Sequence, residues 1–371
     1  MKVLVYSEAW GKGGIESFVC GEISALQSNG YQFDVFTTWC WEGLATYVTD
    51  AYGVVQYAVY DGYRPNLTKR IIRGAKAFGE LLATKHYDAV HINTMNGSGF
   101  VYSWVAKRHG VPTRIVHSHN SDVGAGAKAA KRVISRALTS LFGNTATVRL
   151  ACSEDAGRYL FGDRPFQIVN NGIDTERFRY KAESREVIRL ELGIPEGTTL
   201  LGNIGRIAPA KNPLFQLDVF AEYLKLDPDA RYLMLGGGEL LDEVRAHAKG
   251  LGIERGLIIH EPVVDTAPWY CALDAFLMPS LYEGLGIVRI EAQCSGLSVL
   301  ISDGQPREGD LTGLSTRLSL DASPGEWAAK LYEMTHFEVH DRGAYANAIR
   351  EAGYGREQTI STMELVLRGE S

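Results

Sequence analysis

Short apolar runs of strand character recur along this chain. KVLVY, QFDVFTT, DAVHI, TRIVHS, VRLACS and FQIVN occupy the first half; TLLGNIGRI, RYLMLGG, GLIIHEP, DAFLMPS and LSVLIS occupy the second. Between several of them the apolar positions take up the helical period, as in GIESFVCGEISALQSNG and KAAKRVISRALTSLFG. The first of these closes on Asn29 and Gly30, a helix stop. Strands alternating with helices predict parallel sheets joined by crossover helices. The alternation lapses around NNGIDTERFRYKAESREV and then resumes. That pattern predicts an α/β chain of two doubly wound domains, joined near residues 172–182, with a cleft between them. Ligands of such sheets sit beyond the carboxyl ends of the strands. The loops at residues 11–14, 117–120, 206–211, 236–239 and 280–286 are therefore where chemistry is expected.

The length of 371 residues agrees, being more than one hydrophobic core usually holds. No apolar run approaches the ~20 residues that span a bilayer, and MKVLVYSEAW reads as a strand and not as a signal peptide. The five cysteines, Cys20, Cys40, Cys152, Cys271 and Cys294, are scattered without metal-ligand spacing, as expected of reduced thiols in a cytoplasm. Charge is uneven. Residues 1–172 hold 18 Lys and Arg against 13 Asp and Glu, which leaves 20 against 31 for the rest of the chain. A basic first half and an acidic second half point to different partners, although charge also varies between domains with no such meaning.

Four stretches could carry chemistry. In EAWGKGGIESF, Gly11, Gly13 and Gly14 lie between a strand and a helix, where backbone can approach an anion. The spacing is neither the dinucleotide nor the P-loop fingerprint, and a plain tight turn fits equally. In GNIGRIAPAKN, Arg206 and Lys211 follow a strand, and Pro213 opens the next helix; together they suit a diphosphate clamp. In RIVHSHNSD, His117 and His119 point the same way if the strand continues. One of them can orient a substrate hydroxyl while the other, His117 before His119, is a core histidine. In PSLYEGLGIVRIEAQCSG, Glu283 belongs to a Gly-rich turn and Glu291 to the helix after it. Two carboxylates so far apart cannot share one substrate atom. They can grip the two ends of a long polar ligand, since carboxylates chelate vicinal diols. A sugar, a diphosphate and a ribose have that distribution. The only Asp-x-Asp triplet, at 227–229, reads as a turn, so no metal site or other cofactor is expected.

The chain resembles the retaining glycosyltransferases of family 4, of GT-B architecture, and among them those of bacterial exopolysaccharide and capsule synthesis. The resemblance rests on GGIESF, RIVHSHNS, VNNGIDTERF, GRIAPAKNPLF, LGGGEL and PSLYEGLGIVRIEAQCSGL, and covers nearly the whole chain. It implies an acceptor-binding Rossmann-like domain over residues 1–175, a nucleotide-sugar domain over 176–352, and a helix at 353–371 crossing back to the first. It implies that Glu283 binds the transferred sugar, with Gly284, Leu285 and Gly286 near sugar and phosphates, and that Glu291 binds the ribose. Arg206 and Lys211 would stabilise the departing diphosphate, Val263 would lie by the base, His119 by the sugar, and Gly13 and Gly14 by donor phosphate or acceptor. Leu285 and Gly286 stand where the family often has Phe or Pro.

The expected activity is transfer of a sugar from a nucleoside-diphosphate donor, a UDP-sugar first among them, to a glycan or lipid-linked glycan, with retention. No nucleic-acid partner is expected. A nucleotide-sugar epimerase or hydrolase, or a non-catalytic sugar-nucleotide-binding protein, would use the same clamp. Two basic helical segments, with Lys128, Lys131, Arg132 and Arg136 in one and Arg64, Lys69, Arg70, Arg73 and Lys76 in the other, can dock on the inner face of the cytoplasmic membrane or simply face water.

Overall fold

The computed structural model describes residues 1–11, 14–41, 47–120, 128–336 and 341–370. The chain folds as two compact units, Met1–Gly172 with Arg356–Ser371, and Ile173–Gly355. Each is a wholly parallel sheet. The first unit has strands β1 (Lys2–Trp10), β2 (Gln32–Cys40), β3 (Val55–Ala58), β4 (Ala89–Thr94), β5 (Thr113–Ser118), β6 (Val148–Ala151) and β7 (Gln167–Ile168). They lie in the order β3-β2-β1-β4-β5-β6-β7. The second has β8 (Leu200–Ile204), β9 (Arg231–Leu235), β10 (Leu257–His260), β11 (Ala275–Met278), β12 (Ser298–Ser302) and β13 (Ser315–Leu318), in the order β10-β9-β8-β11-β12-β13. In both, strand order reverses beside the first strand, the switch point at which such sheets bind ligands.

Neighbouring residues along each strand face opposite cores. Val3, Val5 and Val35 pack on one side of the first sheet, and Leu4, Tyr6 and Phe36 on the other. Leu200, Leu233 and Phe276 likewise oppose Leu201, Tyr232 and Leu277 in the second. Burial on both faces is why the central strands read as unbroken apolar runs. β3 and β13 are absent from the sequence reading because they are short edge strands, half-buried at best, without such a run. The apparent gap after residue 172 contains the helix Ala182–Glu191, whose low hydrophobicity hid its period; it buries Ile188 and Arg189.

The helix Arg356–Arg368 rejoins the first unit, placing Met363, Val366 and Leu367 in the core beside Phe18, Val19 and Ile23. The two ends of the second unit meet, Ile173 N–H donating to the Tyr354 carbonyl at 2.9 Å. Of the two basic segments, Arg70 turns inward to pair with Glu8 at 2.8 Å, and Arg64 precedes its helix, Leu67–Thr84. On the helix Lys128–Phe142, Arg132 and Arg136 are exposed together with Val133, Ile134 and Leu141. No helix among the described residues is long and apolar enough to cross a membrane.

Candidate functional site

In the second unit the strand ends converge because glycines let backbones touch. A Cβ on Gly236, just past β9, would lie 1.9 Å from the carbonyl oxygen of Gly205, just past β8. The Gly205 N–H donates to the Leu235 carbonyl and the Ile207 N–H to that of Gly237, each at 2.9 Å. The loop then reaches Asn212, which is left-handed at φ 52° and precedes Pro213 at the start of the helix Pro213–Tyr223. The N-terminus of this helix favours negative charge.

This loop meets the one after β11 through the Leu281 N–H, which donates to the Ala210 carbonyl at 2.8 Å. Lys211 Nζ thereby comes within 2.6 Å of Glu283 Oε1, both side chains being largely buried. The contact is an ion pair without hydrogen-bond alignment, since Oε1 has no hydrogen-bonded partner. Glu291 sits on the following helix, Ile287–Cys294, and accepts the Tyr270 hydroxyl at 2.7 Å. Burial raises the Glu291 pKa; the Tyr270 hydrogen bond and the charges of Arg177 and Lys211 pull it back. Lys211 therefore acts on both carboxylates.

Between them, Gly286 is left-handed at φ 73° and opens the helix. The Leu285 side chain is buried in the core, so its backbone is what it can offer a ligand. Gly284 is half-buried in the same loop, and Val263 is half-buried against that core. Arg206 is exposed and has no partner among the described residues.

Sequence reasoning missed the struts of this loop. Arg289 is fully buried; it donates from Nη2 to the carbonyls of Leu285 at 3.1 Å and Pro306 at 2.9 Å, and pairs through Nη1 with Asp310 at 3.1 Å. A guanidinium on the apolar face of a short helix was the signal, lying between Val288 and Ile290. Gln305 donates to the Met278 carbonyl at 2.8 Å, and Tyr270 holds Glu291. Both come from distant segments that no local pattern links to the loop.

In the first unit His119, just past β5, places Nε2 2.7 Å from Asn93 Oδ1. Burial, and then His91, lowers its pKa to about 3, so it is neutral at physiological pH. His117 is fully buried, its Nδ1 3.2 Å from His91 Nε2, and His91 Nδ1 lies 2.9 Å from Glu22 Oε2. Burial first, with His119 and His91 next, also holds His117 well below its ordinary pKa. The two rings lie side by side, centroids 4.1 Å apart. Among the described residues His119 Nδ1 is buried without a partner, the atom left for another group. Gly14 is exposed at the start of the helix Gly14–Ser28; Gly13 lies outside the described residues.

Among the described residues no group of three or more His, Cys, Asp or Glu is placed to hold a metal ion. The triplet at 227–229 forms a turn, with Asp227 accepting the Thr199 hydroxyl at 2.7 Å.

Comparison with known proteins gives a consistent answer. Residues 13–172 match the model of the glycosyl transferase 4-like domain, and residues 184–332 that of the glycosyl transferases group 1. Over 283 residues the chain is 30% identical to the putative glycosyltransferase EpsF of Bacillus subtilis, covering 75% of this chain and 73% of that one. It is 26% identical to an Escherichia coli UDP-Gal:alpha-D-GlcNAc-diphosphoundecaprenol alpha-1,3-galactosyltransferase, over 60% of each chain. Among solved structures, Anabaena HepE in complex with UDP and glucose superposes with a TM-score of 0.76 at 14% identity, over the full length of both chains.

Proposed function

This chain belongs to the family 4 glycosyltransferases of the GT-B fold, and we propose that it moves a sugar from a UDP-sugar to a hydroxyl of a lipid-linked glycan, with retention, in exopolysaccharide or capsule synthesis. The observation that carries this reading is the pairing of Lys211 with Glu283 at the strand ends, one helical segment from Glu291 and Tyr270. Glu283 accepts hydroxyls of the transferred sugar, Glu291 accepts the ribose diol, and Lys211 with Arg206 faces the diphosphate between them. The backbone of Gly284, Leu285 and Gly286 lies by the sugar and phosphates, and Val263 by the base. When phosphate oxygens draw Lys211 away, the Glu283 carboxylate is freed for the sugar. The swap keeps every buried charge partnered, which a desolvated pair requires.

As the bond to the anomeric carbon breaks, negative charge grows on the departing phosphate. Lys211, Arg206 and the N-terminus of the helix Pro213–Tyr223 are the groups that stabilise it, with no metal ion needed. The leaving phosphate accepts the acceptor's proton on the same face of the sugar, which retains its configuration without a covalent adduct. On the first unit, His119 is neutral and keeps, with Gly13 and Gly14, the sugar and phosphate role that the family resemblance assigns. The UDP carried by the HepE structure and the diphosphoundecaprenol substrate in the Escherichia coli relative's name support the choice of donor and acceptor. The exposed Arg132, Val133, Arg136 and Leu141 supply a basic amphipathic surface for an anionic membrane.

A thermal-shift panel of UDP-, GDP- and ADP-sugars tests the donor. A selective rise in melting temperature with UDP-sugars is expected, and none with any of them would refute the reading. Turnover on lipid-diphosphate glycans should survive a chelator. Free sugar or epimer as the main product would place the chain with the hydrolases or epimerases instead, and tight donor binding without turnover on any acceptor would make it a binding protein.

A further inference from the structure

The carboxyl ends of β1, β2 and β3 carry a cluster of aromatic side chains that the donor chemistry does not use. Trp41 and Tyr63 are 53% and 58% exposed. The Trp41 indole lies against Gly11, where a Cβ would come within 2.7 Å of Trp41 Cδ1 and 2.9 Å of its Nε1. Trp39 packs edge-on against Trp41 at 5.3 Å, Tyr60 against Tyr63 at 6.3 Å, and the Arg64 guanidinium sits 5.4 Å from the Trp39 ring centroid.

Backbone hydrogen bonds tie the cluster to the strand ends. The Cys40 N–H donates to the Tyr60 carbonyl, the Gly62 N–H to that of Cys40, and the Trp41 N–H to that of Trp10, each at 3.0 Å. The Cys40 thiol lies 3.3 Å from Asp61 Oδ1. A surface loop fastened so firmly to a strand end is preorganised for contact.

Resting on the glycosyltransferase reading above, we propose that Trp41 and Tyr63, backed by Trp39 and Tyr60, form a stacking platform for a pyranose ring of the acceptor, with Arg64 along its edge. The negative face of an aromatic ring attracts the slightly positive C–H groups on one face of a pyranose. The equatorial hydroxyls then project sideways, where the exposed Arg64 guanidinium meets them directly or through one water. A purely apolar partner would leave that guanidinium unmet, and a nucleic acid would call for several cations where the described residues of this cluster offer Arg64 alone. The location fits as well, since it lies beyond the strand ends beside the switch point of the sheet.

The test titrates the full chain with methyl α- and β-pyranosides of glucose, galactose, N-acetylglucosamine and glucuronic acid, read by saturation-transfer NMR and tryptophan fluorescence. The UDP-glucose thermal shift is recorded in parallel. At least one pyranoside should bind, Trp41→Ala should weaken it tenfold or more, and Trp41→Phe should restore most of the affinity, with the UDP-glucose shift unchanged throughout. Equal binding to wild type and Trp41→Ala would overturn the platform, as would a lack of binding by every pyranoside while UDP-glucose still stabilises the chain. Trp41-dependent pyranoside binding without any nucleotide-sugar effect would keep the platform and sink the transferase reading instead.

Discussion

Lys211 answers to two carboxylates, one in contact and one through space, so its removal should cost more than a surface lysine would. Lys211→Ala leaves Glu283 buried without a cation and the diphosphate short of one. Turnover should fall by about 100- to 1,000-fold, the usual loss when one charge-stabilising group is removed, with a smaller change in donor KM. Glu283→Gln should lower turnover while keeping the fold, whereas Glu291→Ala should chiefly raise donor KM, its role being in binding the ribose. The histidine cluster predicts a stability effect. His119 in the unfolded chain takes up a proton near pH ~6.5, but folded only near about 3. Between these values the unfolded state binds more protons, so stability falls as pH falls, by at most about 1.4 kcal/mol per pH unit for this residue. His117 adds to the effect; Glu291, whose pKa burial raises, opposes it. Melting temperature should drop from pH 7 to pH 5, and His119→Gln should flatten that slope. A slope unchanged in the variant would remove His119 from the account.

At the scale of elements, the site depends on backbone conformations that few side chains adopt. Gly236→Ala drives a methyl group into the Gly205 carbonyl at a φ of 153°. It should destabilise the second unit by about 1–3 kcal/mol and abolish the UDP-sugar thermal shift. Asn212→Gly should be nearly silent at φ 52°, whereas Asn212→Val should cost about 1–2 kcal/mol; denaturant unfolding measures both. Such constraints also explain what the sequence reveals. Arg206, Lys211, Glu283 and Glu291 can be located because strand, loop and helix follow one another locally, and polar residues stand out against that pattern. Tyr270, Asn93 and the Glu22–His91 pair cannot, because their partners lie on other elements. His91 and His117 belong to adjacent strands, yet nothing in either segment names the other. β3 and β13 escape detection because VQYA and STRL carry no unbroken apolar run, whereas the edge strands β7 and β10 lie in FQIVN and GLIIHEP, which do.

For the whole molecule, the helix Arg356–Arg368 is part of the first unit's core. Deleting it would expose the pockets of Met363, Val366 and Leu367, buried side chains worth about 1.5–3 kcal/mol each. Calorimetry of a chain ending at residue 355 should show the first unit's transition lowered or lost, while that of residues 173–355 persists. Two transitions unchanged from the full chain would contradict this assignment. The second unit closes on itself at Ile173 and Tyr354, and residues 173–355 should therefore express as a folded piece on their own. During synthesis the two units mature in the reverse of their starting order. The first begins at the ribosome but lacks its final helix until the roughly 180 residues of the second have been made, a wait of about 10–40 s at ordinary elongation rates. Meanwhile the patch that Met363, Val366 and Leu367 will cover is open to chaperones, and the inserted unit is complete before its host.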